Sequence, residues 1–327
     1  MSKPFFSILV LFWKSEQYLP ESLNALDRQT FRDFEVILLN NGADDPPDPD
    51  LLAQHPQLDL KTLHSDHNLG FTGGNNLAAR HAVGEYLVLL NGDAFPEPDW
   101  LAKLHQAAMD HPDHCFASKL INARQPDLLD GEWNVYHASG LALRKNHHQP
   151  VGKSSQRPRY VISACAAASA YPRHAFELVG GFDEDFFAYM EDLDLDLRLQ
   201  LAGFSFIYLP DAIVHHVGSG STASRSAFST YYGQRNLIWT FVKNMPGILF
   251  YVLLPAHVFF NLLYLLASVF MPSGKALRQG KKSALKKLPQ MLAKRKIIQS
   301  GRKISLLQFA KLLDWNPFTP FIKLTYR

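Results

Sequence analysis

The densest group of side chains that could do chemistry is a run of carboxylates between residues 183 and 196. The run reads Asp183-Glu-Asp-Phe-Phe-Ala-Tyr-Met-Glu191-Asp192-Leu-Asp-Leu-Asp196. Carboxylates this close repel one another unless a cation, a proton or a substrate hydroxyl compensates for their charge. A solvated acidic face is the ordinary explanation, but the large apolar side chains inside the run are unsuited to solvent. The pattern therefore favours a catalytic or binding site.

A second candidate carboxylate, Asp93, follows an apolar segment at a point where the chain must turn. Residues 86–90 have the character of a buried strand, and Asn91-Gly92-Asp93 comes directly after them. Ligands of α/β proteins bind at the ends of strands. An aspartate there can bind a hard divalent cation, which can in turn hold a diphosphate. Asn-Gly and Gly-Asp are also ordinary turn sequences, so this motif alone does not identify a site.

Two adjacent histidines, His215 and His216, end another apolar segment and precede the small-residue loop Gly218-Ser-Gly-Ser221. One of their imidazoles could bind the same metal ion as Asp93. A pair of surface histidines is the alternative, and the pattern does not decide between them. Because successive side chains of a strand point to opposite faces, only one of the two can face a metal ion.

Taken in order, these segments resemble family 2 glycosyltransferases of the GT-A fold, in particular the rhamnosyltransferase-like branch that builds bacterial surface polysaccharides. The resemblance extends from residue 5 to about residue 245. Residues 7–13 are similar to the family's first strand, 23–34 to the following helix, 35–45 to the second strand with its nucleoside-binding tip, and 68–76 to the next loop. Asn91 to Asp93 stands at the metal motif and Glu191-Asp192 at the base motif, and residues 231–236 are similar to a segment typical of this branch.

The resemblance implies an inverting, metal-dependent transfer of a sugar from a nucleotide-sugar donor, such as dTDP-rhamnose, to a hydroxyl of a polyprenyl-diphosphate-linked glycan acceptor. Asp192 would act as the base, with Glu191 beside it. Mg²⁺ or Mn²⁺ would be held by Asp93 and by His216 or His215, and His216 has the family's spacing from Pro210. The expected donor-binding residues are Phe12, Asn40, Asn41, Asn68, Gly70, Gly74, Asn75, Asn91 and Asp93. The expected acceptor-side residues are Phe187, Tyr189 and Arg235.

Two positions depart from the family's pattern and motivate an alternative. Asn40-Asn41 stands where Asp-Asn is usual, and Asn91 replaces the first aspartate of the metal motif. An inactive relative that organises a polysaccharide-synthesis complex at the membrane is therefore the alternative function. A retaining or nucleotidyl-transferring enzyme would need a Gly-rich basic opening loop, which the sequence does not show. Processive synthesis is disfavoured because the chain has neither a set of long spans nor a Gln-x-x-Arg-Trp motif.

The whole sequence predicts an α/β fold. Strand-like segments at 5–12, 35–40, 86–91 and 204–209 alternate with helix-compatible stretches, which indicates a mostly parallel central sheet flanked by helices. Leucines alternate from Leu193 to Leu201 as in a strand. Arg198 and Gly203 are instead typical of a helix C-terminus, and the resemblance also implies a helix that begins at Glu191. The two cysteines form no disulfide framework.

Charge divides the chain at about residue 246. Residues 247–327 hold 14 of the 33 Lys and Arg residues and one of the 30 acidic residues, Asp314. This region opens with an uncharged apolar run from Gly247 to Phe270, which is long enough to cross a bilayer. Residues 275–303 follow with eleven Lys and Arg residues and no acid. Nucleic acid is a competing partner for so basic a segment, but the adjacent apolar run favours a membrane.

A single crossing would carry either the basic segment or the catalytic part across the membrane, against the positive-inside tendency. We therefore predict a catalytic domain over residues 1–245 and a helical membrane-association region over residues 246–327. The apolar run would lie in the plane of an anionic membrane surface or re-enter it. The opening residues lack the features of a secretory signal peptide. The predicted location is the cytoplasmic face of the bacterial inner membrane, as a peripheral or monotopic protein without a nucleic-acid partner.

Overall fold

The computed structural model describes residues 3–43, 46–218 and 226–321. Three parts of the predicted segments lie outside the described residues. They are Asp44 and Asp45 of the expected nucleoside-binding tip, Ser219 to Ser221 of the loop after the histidines, and residues 322–327 of the expected membrane-association region.

The described residues form twelve strands and eleven α-helices, with three short 3₁₀ helices at Val151–Lys153, Glu184–Phe186 and Ser268–Phe270. The strands are β1 Phe6–Phe12, β2 Phe34–Asn41, β3 Asp59–Ser65, β4 Tyr86–Asn91, β5 Ala94–Pro96, β6 Cys115–Asn122, β7 Leu129–Gly131, β8 Asn134–Tyr136, β9 Ala142–Arg144, β10 Arg159–Val161, β11 Ala168–Pro172 and β12 Phe206–His216. The helices are α1 Leu19–Asp27, α2 Pro49–Ala53, α3 Gly70–His81, α4 Trp100–Asp110, α5 Arg173–Leu178, α6 Glu191–Leu201, α7 Ala227–Asn244, α8 Gly247–Ala267, α9 Gly274–Lys286, α10 Leu288–Ser300 and α11 Leu306–Leu312.

One twisted sheet dominates the fold, with the strand order β10-β12-β6-β11-β4-β1-β2-β3. Strands β1 to β4 are mutually parallel, as the alternation of strands and helices predicts. The sheet continues through β11, which is antiparallel to both β4 and β6, and β12 then pairs parallel with β6. The long strands β1, β2, β4, β6 and β12 therefore all end at the same edge, where ligands of such sheets bind.

Helices cover both faces of the sheet, so the central strands are buried on both sides and contain near-continuous apolar runs. Ile8 and Val10 of β1 pack with α1 and α4 on one face, in a cluster that includes Leu23. Leu9 and Leu87 face the other side, where they pack with residues of α3, α5 and α6. This two-sided core fixes the strand ends that form the candidate site.

Helix α6 begins at Glu191, as the resemblance implies, and Gly203 follows its end with a φ of 96°. Every residue from Leu193 to Leu201 is buried. The helix is enclosed on all sides, between the sheet and α7, so its leucines need no helical periodicity. Their strand-like alternation therefore carries no information about secondary structure.

The last four helices pack onto the rest of the molecule. Helices α9 and α10 contact α7, and Trp239 of α7 donates a hydrogen bond to the Ala284 carbonyl of α9. One apolar cluster joins Leu193 of α6 to Leu253 of α8 and to Phe309 of α11. The residues beyond 246 thus share a hydrophobic core with those before it. Among the described residues, one helical segment, Gly247–Phe270, is by length and composition apolar enough to cross a membrane.

Candidate active site

A cleft of about 2240 Å³ opens at the carboxyl ends of the central strands. Ligand pockets for drug-sized molecules commonly measure about 300–1,000 Å³. The cleft is therefore large enough for two substrates side by side. Segments that are far apart in the sequence line it, from Leu11 and Asn91 at strand ends to Asp192 at the start of α6 and Thr319 near the C-terminus.

Asp93 and His216 meet at one wall of the cleft. The short strand β5 pairs antiparallel with the end of β12, which places Ala94 opposite His216. Oδ1 of Asp93 consequently lies 3.3 Å from Nε2 of His216. The Asn91 amide nitrogen lies at the same distance from that Nε2 atom. The structure thus brings His216, a candidate metal ligand in the sequence, next to Asn91 and Asp93 of the motif that resembles the family's metal motif.

A buried aspartate that sequence reasoning missed, Asp130, orients this histidine. Nδ1 of His216 donates a hydrogen bond of 2.8 Å to Oδ2 of Asp130, which Arg144 also contacts at 2.6 Å. Burial alone would raise the pKa of Asp130, but the charge of Arg144 and the hydrogen bond from His216 lower it. Burial would likewise lower the pKa of His216, but the hydrogen bonds to Asp130 and Asp93 raise it to about 9.

These residues fit a divalent cation whose coordination is completed by a ligand. Within the described residues, no group of three or more His, Cys, Asp or Glu side chains could hold a metal ion. Asp93 Oδ1 and His216 Nε2 offer one oxygen and one nitrogen, and the Asp130–His216 hydrogen bond is the usual outer contact of a metal-binding histidine. Cations that bind nucleotides commonly use one or two protein carboxylates and fill their remaining positions with phosphate oxygens and water. A proton must leave Nε2 before a metal can bind there.

His215 lies on the other face of β12. Its Nε2 atom is 3.1 Å from Oε1 of Glu97, and the side chain does not line the cleft. The alternation of side chains along the strand thus separates the two histidines, and only His216 is near Asp93.

Asp192 is held in the cleft by two hydrogen bonds. Its Oδ2 atom accepts a bond of 3.0 Å from the Asn134 side chain, and its Oδ1 atom accepts one of 2.7 Å from the backbone N–H of Leu193. Asn134 is held in turn by the Ala164 carbonyl, and the N–H of Ala164 donates to Asp196 one turn further along α6. The carboxylate therefore has a fixed orientation at the helix N-terminus, where the helix dipole favours negative charge.

Glu191 has a different environment from its neighbour. Its Oε2 atom is buried and, in the part of the chain that the structure describes, has no hydrogen-bond partner. Burial and the adjacent Asp192 charge raise the pKa of Glu191 to about 8. At neutral pH Glu191 is therefore protonated, and Asp192 is the carboxyl group of the pair that accepts hydrogen bonds in the cleft.

The loop after β3 forms another wall. Asn41 braces it, because its side chain donates to the Gly70 carbonyl and accepts from the Leu69 N–H, at 3.1 Å in each case. Asn41, Asn68 and Gly70 all line the cleft. Gly70 has a φ of 72°, and a side chain there would meet the Phe187 ring, so this position requires glycine.

Four of the expected donor-binding residues lie behind the cleft surface. Phe12 belongs to the core, and Gly74 packs against Leu11 beneath the wall. The Asn40 side chain accepts a hydrogen bond from the Ala43 N–H, and Asn75 donates to the Phe71 carbonyl. None of the four lines the cleft in the described structure.

Aromatic side chains form the wall beside Asp192. Phe187 and Tyr189 line the cleft, as does Phe228 of α7. Phe187 stacks on Tyr232, with a centroid distance of 5.2 Å, and Tyr189 contacts Phe228 at 6.1 Å. Phe187, Tyr189 and Met190 all have positive φ values, between 64° and 66°. This unusual backbone presents the two rings to the cleft just before α6 begins.

Arg235 lies behind this aromatic loop and does not line the cleft. Its guanidinium donates to the carbonyls of Asp185 and Phe186 at 2.7 and 2.8 Å, and it stacks on Trp239. The next residue, Asn236, is fully buried and donates to the carbonyls of Phe186, Ala188 and Tyr189. Arg235 therefore supports the loop from behind and occupies no acceptor-side position in the cleft.

Lysines from the C-terminal half neutralise much of the acidic run. Lys243 contacts Asp183 at 2.5 Å and Asp194 at 2.8 Å. Lys294 of α10 contacts both Asp183 and Asp185. The repulsion noted in the sequence is thus relieved partly inside the protein. Of the carboxyl groups in the run, only those of Glu191 and Asp192 belong to residues that line the cleft.

Asp130, Asn134 and Arg144 are the site residues that the sequence did not reveal. They lie in the three-residue strands β7, β8 and β9, outside any of the recognised motifs. Their only local signal is an aspartate before a glycine, which is also an ordinary turn sequence. Asn134 reaches Asp192 across 58 positions and Asp130 reaches His216 across 86, and Arg144 acts through Asp130.

The fold resembles that of solved glycosyltransferases. A mannosyltransferase from Pyrobaculum calidifontis, solved with GDP-Man and Mn²⁺, aligns with a TM-score of 0.56 over 92% of this chain and 86% of its own, at 18% identity. S. aureus TarS, solved as a fragment with UDP-GlcNAc, aligns with a TM-score of 0.55 over 91% of this chain and 93% of that one, at 16% identity. The fold is therefore the GT-A fold of nucleotide-sugar transferases.

Sequence comparison gives the family. Residues 7–169 match Glycosyl transferase family 2. The chain belongs to this family, and the matched residues include Asn91 and Asp93, whereas Asp192 and His216 lie beyond them.

Two relatives have more specific names. O-antigen biosynthesis protein RfbC of Myxococcus xanthus is 30% identical over 70% of this chain, which spans only 18% of that protein. N-acetylglucosaminyl-diphospho-decaprenol L-rhamnosyltransferase of Mycobacterium tuberculosis is 28% identical over 66% of this chain and 76% of its own length. The chain is thus similar to rhamnosyltransferase-like glycosyltransferases of polysaccharide synthesis.

Proposed function

We propose that the protein transfers a sugar from a nucleoside-diphosphate donor to a hydroxyl of a polyprenyl-diphosphate-linked glycan, with inversion, in the synthesis of a bacterial surface polysaccharide. One observation carries the proposal: Asp93 with His216, and Asp192 with Asn134, line the same cleft. The first pair suits a diphosphate and the second a nucleophilic hydroxyl. The name of the mycobacterial relative supports a deoxyhexose donor, such as dTDP-rhamnose, and a lipid-linked acceptor, and the name of the Myxococcus relative supports a role in polysaccharide synthesis.

The chemistry follows from the different states of the two carboxyl groups. Asp192 accepts the proton of the acceptor hydroxyl as its oxygen attacks the anomeric carbon, and the nucleoside diphosphate leaves from the opposite face of the sugar. Asn134 keeps the carboxylate directed at that hydroxyl, and Glu191 remains protonated at neutral pH. One base suffices for inversion because a diphosphate needs no general acid to leave. When bound, Mg²⁺ or Mn²⁺ at Asp93 and His216 would stabilise the negative charge of the leaving diphosphate.

The walls of the cleft position the substrates. Asn41, Asn68 and Gly70 would bind the donor, and the rings of Phe187 and Tyr189 would cover the acceptor sugar and exclude water. Holding both reactants at the distance and orientation that the reaction needs is the largest contribution that such a scaffold can make to the rate. The four residues behind the surface, among them Asn40 and Asn75, would act by supporting this wall.

The packing of α8 supports an in-plane membrane association of residues 246–327. One stripe of the helix, including Leu253, Phe260 and Tyr264, is buried against the protein, and the opposite face is apolar and exposed. His257 in this stripe hydrogen-bonds to the Ser139 carbonyl. A helix packed lengthwise in this way cannot cross the bilayer without taking polar parts of the domain with it. We infer a monotopic protein on the anionic cytoplasmic leaflet of the bacterial inner membrane.

A donor panel tests the proposal. The purified full chain is incubated with a polyprenyl-diphosphate-linked glycan, Mg²⁺ or Mn²⁺ and each nucleotide sugar, and release of nucleoside diphosphate is measured. Release with one donor, accompanied by an inverted linkage in the product, is the expected result. Release with no donor would favour the inactive scaffold instead.

The two histidines provide a matched pair for the metal part of the proposal. His216→Ala should weaken metal-dependent donor binding at least tenfold, because one of two protein ligands is lost. His215→Ala should leave it within about twofold, since the His215 imidazole lies beside Glu97 on the outer face of β12. Donor affinity is measured by calorimetry with and without the metal ion. Full activity in excess chelator would contradict the metal site.

A further inference from the structure

The chain beyond α11 carries three exposed aromatic residues. Trp315, Phe318 and Phe321 are 52%, 72% and 49% exposed, and we call them the aromatic strip. Soluble surfaces rarely expose several large aromatic side chains within seven residues. Phe321 contacts Phe260 of α8 with a centroid distance of 5.9 Å, so the strip is continuous with the α8 helix.

Hydrogen bonds fix the strip in position. The Trp315 indole N–H donates to the Ala310 carbonyl at 2.8 Å. The backbone of Asp314 makes two hydrogen bonds to β8 and the residues after it: it donates to the Tyr136 carbonyl and accepts from the Ala138 N–H, both at 2.9 Å. The aromatic side chains are therefore exposed on an ordered segment, and they are not the unpacked end of a chain.

The same segment lines the cleft on its other side. Lys311, Asp314, Asn316 and Thr319 face the cleft between or beside the residues of the aromatic strip. The segment thus forms a thin wall between the substrate cleft and an outer apolar surface. A molecule with a polar head in the cleft and an apolar tail would cross the protein surface at this wall.

Charge identifies what covers the outer surface. The described part of the C-terminal region has Asp314 as its one acidic residue, and that side chain faces the cleft. Exposed Arg278 contacts the Ser268 carbonyl, which places its charge beside the exposed Val269 and Phe270 at the end of α8. A region of mostly positive charge, with exposed apolar side chains and a cation together at the end of α8, suits the interface of an anionic bilayer.

We propose that the aromatic strip enters the interface of an anionic phospholipid bilayer and holds the acceptor end of the cleft against the membrane. The α8 helix alone would leave the protein free to roll about the helix axis. A second membrane contact away from that axis prevents this rotation and directs the cleft towards a lipid-linked hydroxyl. This inference rests on the proposed function for the nature of the acceptor, but membrane insertion of the strip can be measured without any transfer reaction.

Trp315 makes a direct test possible. Trp100, Trp133 and Trp239 are buried and Trp13 is half-buried beside the cleft, so Trp315 is the exposed tryptophan. The full chain is mixed with vesicles of equal parts phosphatidylcholine and phosphatidylglycerol whose acyl chains carry bromine, a contact quencher of indole fluorescence. Quenching is expected with the natural chain. It should largely disappear in Trp315→Phe, which keeps an apolar ring and should still sediment with the vesicles.

A second pair of variants tests the consequence for the reaction. Trp315→Ser combined with Phe318→Ser should weaken vesicle binding roughly tenfold or more, because two large apolar side chains are lost from the interface. It should raise KM for the lipid-linked acceptor and leave KM for a soluble glycan acceptor unchanged. Met109→Ser removes a similarly exposed apolar side chain from α4 and should change neither vesicle binding nor KM for the lipid-linked acceptor.

The outcomes separate this inference from the proposed function. Unquenched Trp315 in vesicle-bound protein would overturn the inference, as would failure of the full chain to bind vesicles. Self-association that buries Trp315 in sedimentation velocity would assign the strip to a second copy of the chain. Quenching of Trp315 together with no sugar transfer from any donor would support membrane insertion of the aromatic strip and contradict only the proposed function.

Discussion

At the scale of single residues, two adjacent carboxyl groups have opposite properties. Asp192 accepts hydrogen bonds from Asn134 and from a backbone N–H, whereas Oε2 of Glu191 is buried without a partner among the described residues. Burial and the charge of Asp192 raise the pKa of Glu191 to about 8. The two environments give the carboxyl groups different roles: Glu191 is protonated at neutral pH, and Asp192 is held in the cleft by its hydrogen bonds.

The first prediction concerns Asp192→Asn. The variant should lower kcat by roughly 10²–10⁴-fold, because general-base catalysis typically contributes that much. Donor affinity should stay within a few fold, since the diphosphate site is intact. Glu191→Gln is the matched control, because glutamine resembles the protonated acid, and it should keep most of the activity at pH 7. Near-normal turnover of Asp192→Asn would assign the base to another group.

The second prediction is a dependence of stability on pH. An unfolded glutamate has a pKa of about 4.3, and the folded value is higher, so the folded state binds more protons between the two values. Stability should therefore fall as pH rises from about 4.3 to about 8, and the whole penalty is present above pH 8. Glu191→Gln should gain thermal stability relative to the natural chain at pH 9 but not at pH 4. Equal differences in melting temperature at both pH values would contradict this.

At the scale of elements, α7 positions the catalytic loop. Arg235 and Asn236 on this helix together donate to the carbonyls of Asp185, Phe186, Ala188 and Tyr189. In this loop Phe187, Tyr189 and Met190 have positive φ. This conformation costs energy in residues other than glycine and persists only when the surrounding structure imposes it. The helix thus supplies the constraint that holds the aromatic wall and the start of α6.

The third prediction tests this constraint with Asn236→Asp. Aspartate has the same size but cannot donate to three carbonyls, so the loop should lose its position. We expect kcat to fall roughly 10- to 100-fold and the free energy of unfolding to fall by about 1–3 kcal/mol. Thr240→Val, one turn further along α7, removes a buried hydroxyl without a described partner and should leave kcat unchanged. Normal kcat in Asn236→Asp would show that the loop is held by other contacts.

At the scale of the whole molecule, the C-terminal helices belong to the same folded unit as the catalytic residues. Lys287 and Lys294 of the basic segment pair with Asp185 and Asp183, and Arg295 donates to the carbonyls of Val242 and Met245. A part of the basic segment's charge is therefore used inside the protein. Deletion of residues 247–327 would also expose Trp239 and leave acidic groups unpaired, so point substitutions are the better tests of membrane binding.

The fourth prediction compares two lysines of α10. Lys294→Met should lower the free energy of unfolding by about 1–3 kcal/mol, because it leaves the largely buried Asp183 with fewer partners. Lys296→Met, on an exposed position of the same helix, should change it by less than about 0.5 kcal/mol. Both variants remove one positive charge, so both should weaken binding to anionic vesicles to a similar small extent. Equal stability of the two variants would show that the Asp183–Lys294 contact is not stabilising.

The sequence by itself determined the elements and the polar groups at their ends. Strand-like apolar runs, the Asn91-Gly-Asp93 turn and the helix at Glu191 are local features, and the order of the motifs indicated the family that sequence comparison confirms. Strand alternation also required that only one of His215 and His216 could face a metal ion, and in the structure His216 is the histidine beside Asp93. Such features depend on residues a few positions apart.

Only the tertiary structure decided which distant residues complete the site. Asp130 and Asn134 reach His216 and Asp192 across 86 and 58 positions, and Lys294 reaches Asp183 across 111. These contacts depend on the packing of α6, α7 and α10 against the sheet, for which no local pattern exists. The same packing moved Arg235 behind the aromatic loop and brought residues 311–319 to the cleft. Long-range pairing depends on the geometry of the whole core, so a sequence pattern that extends over a few residues cannot specify it.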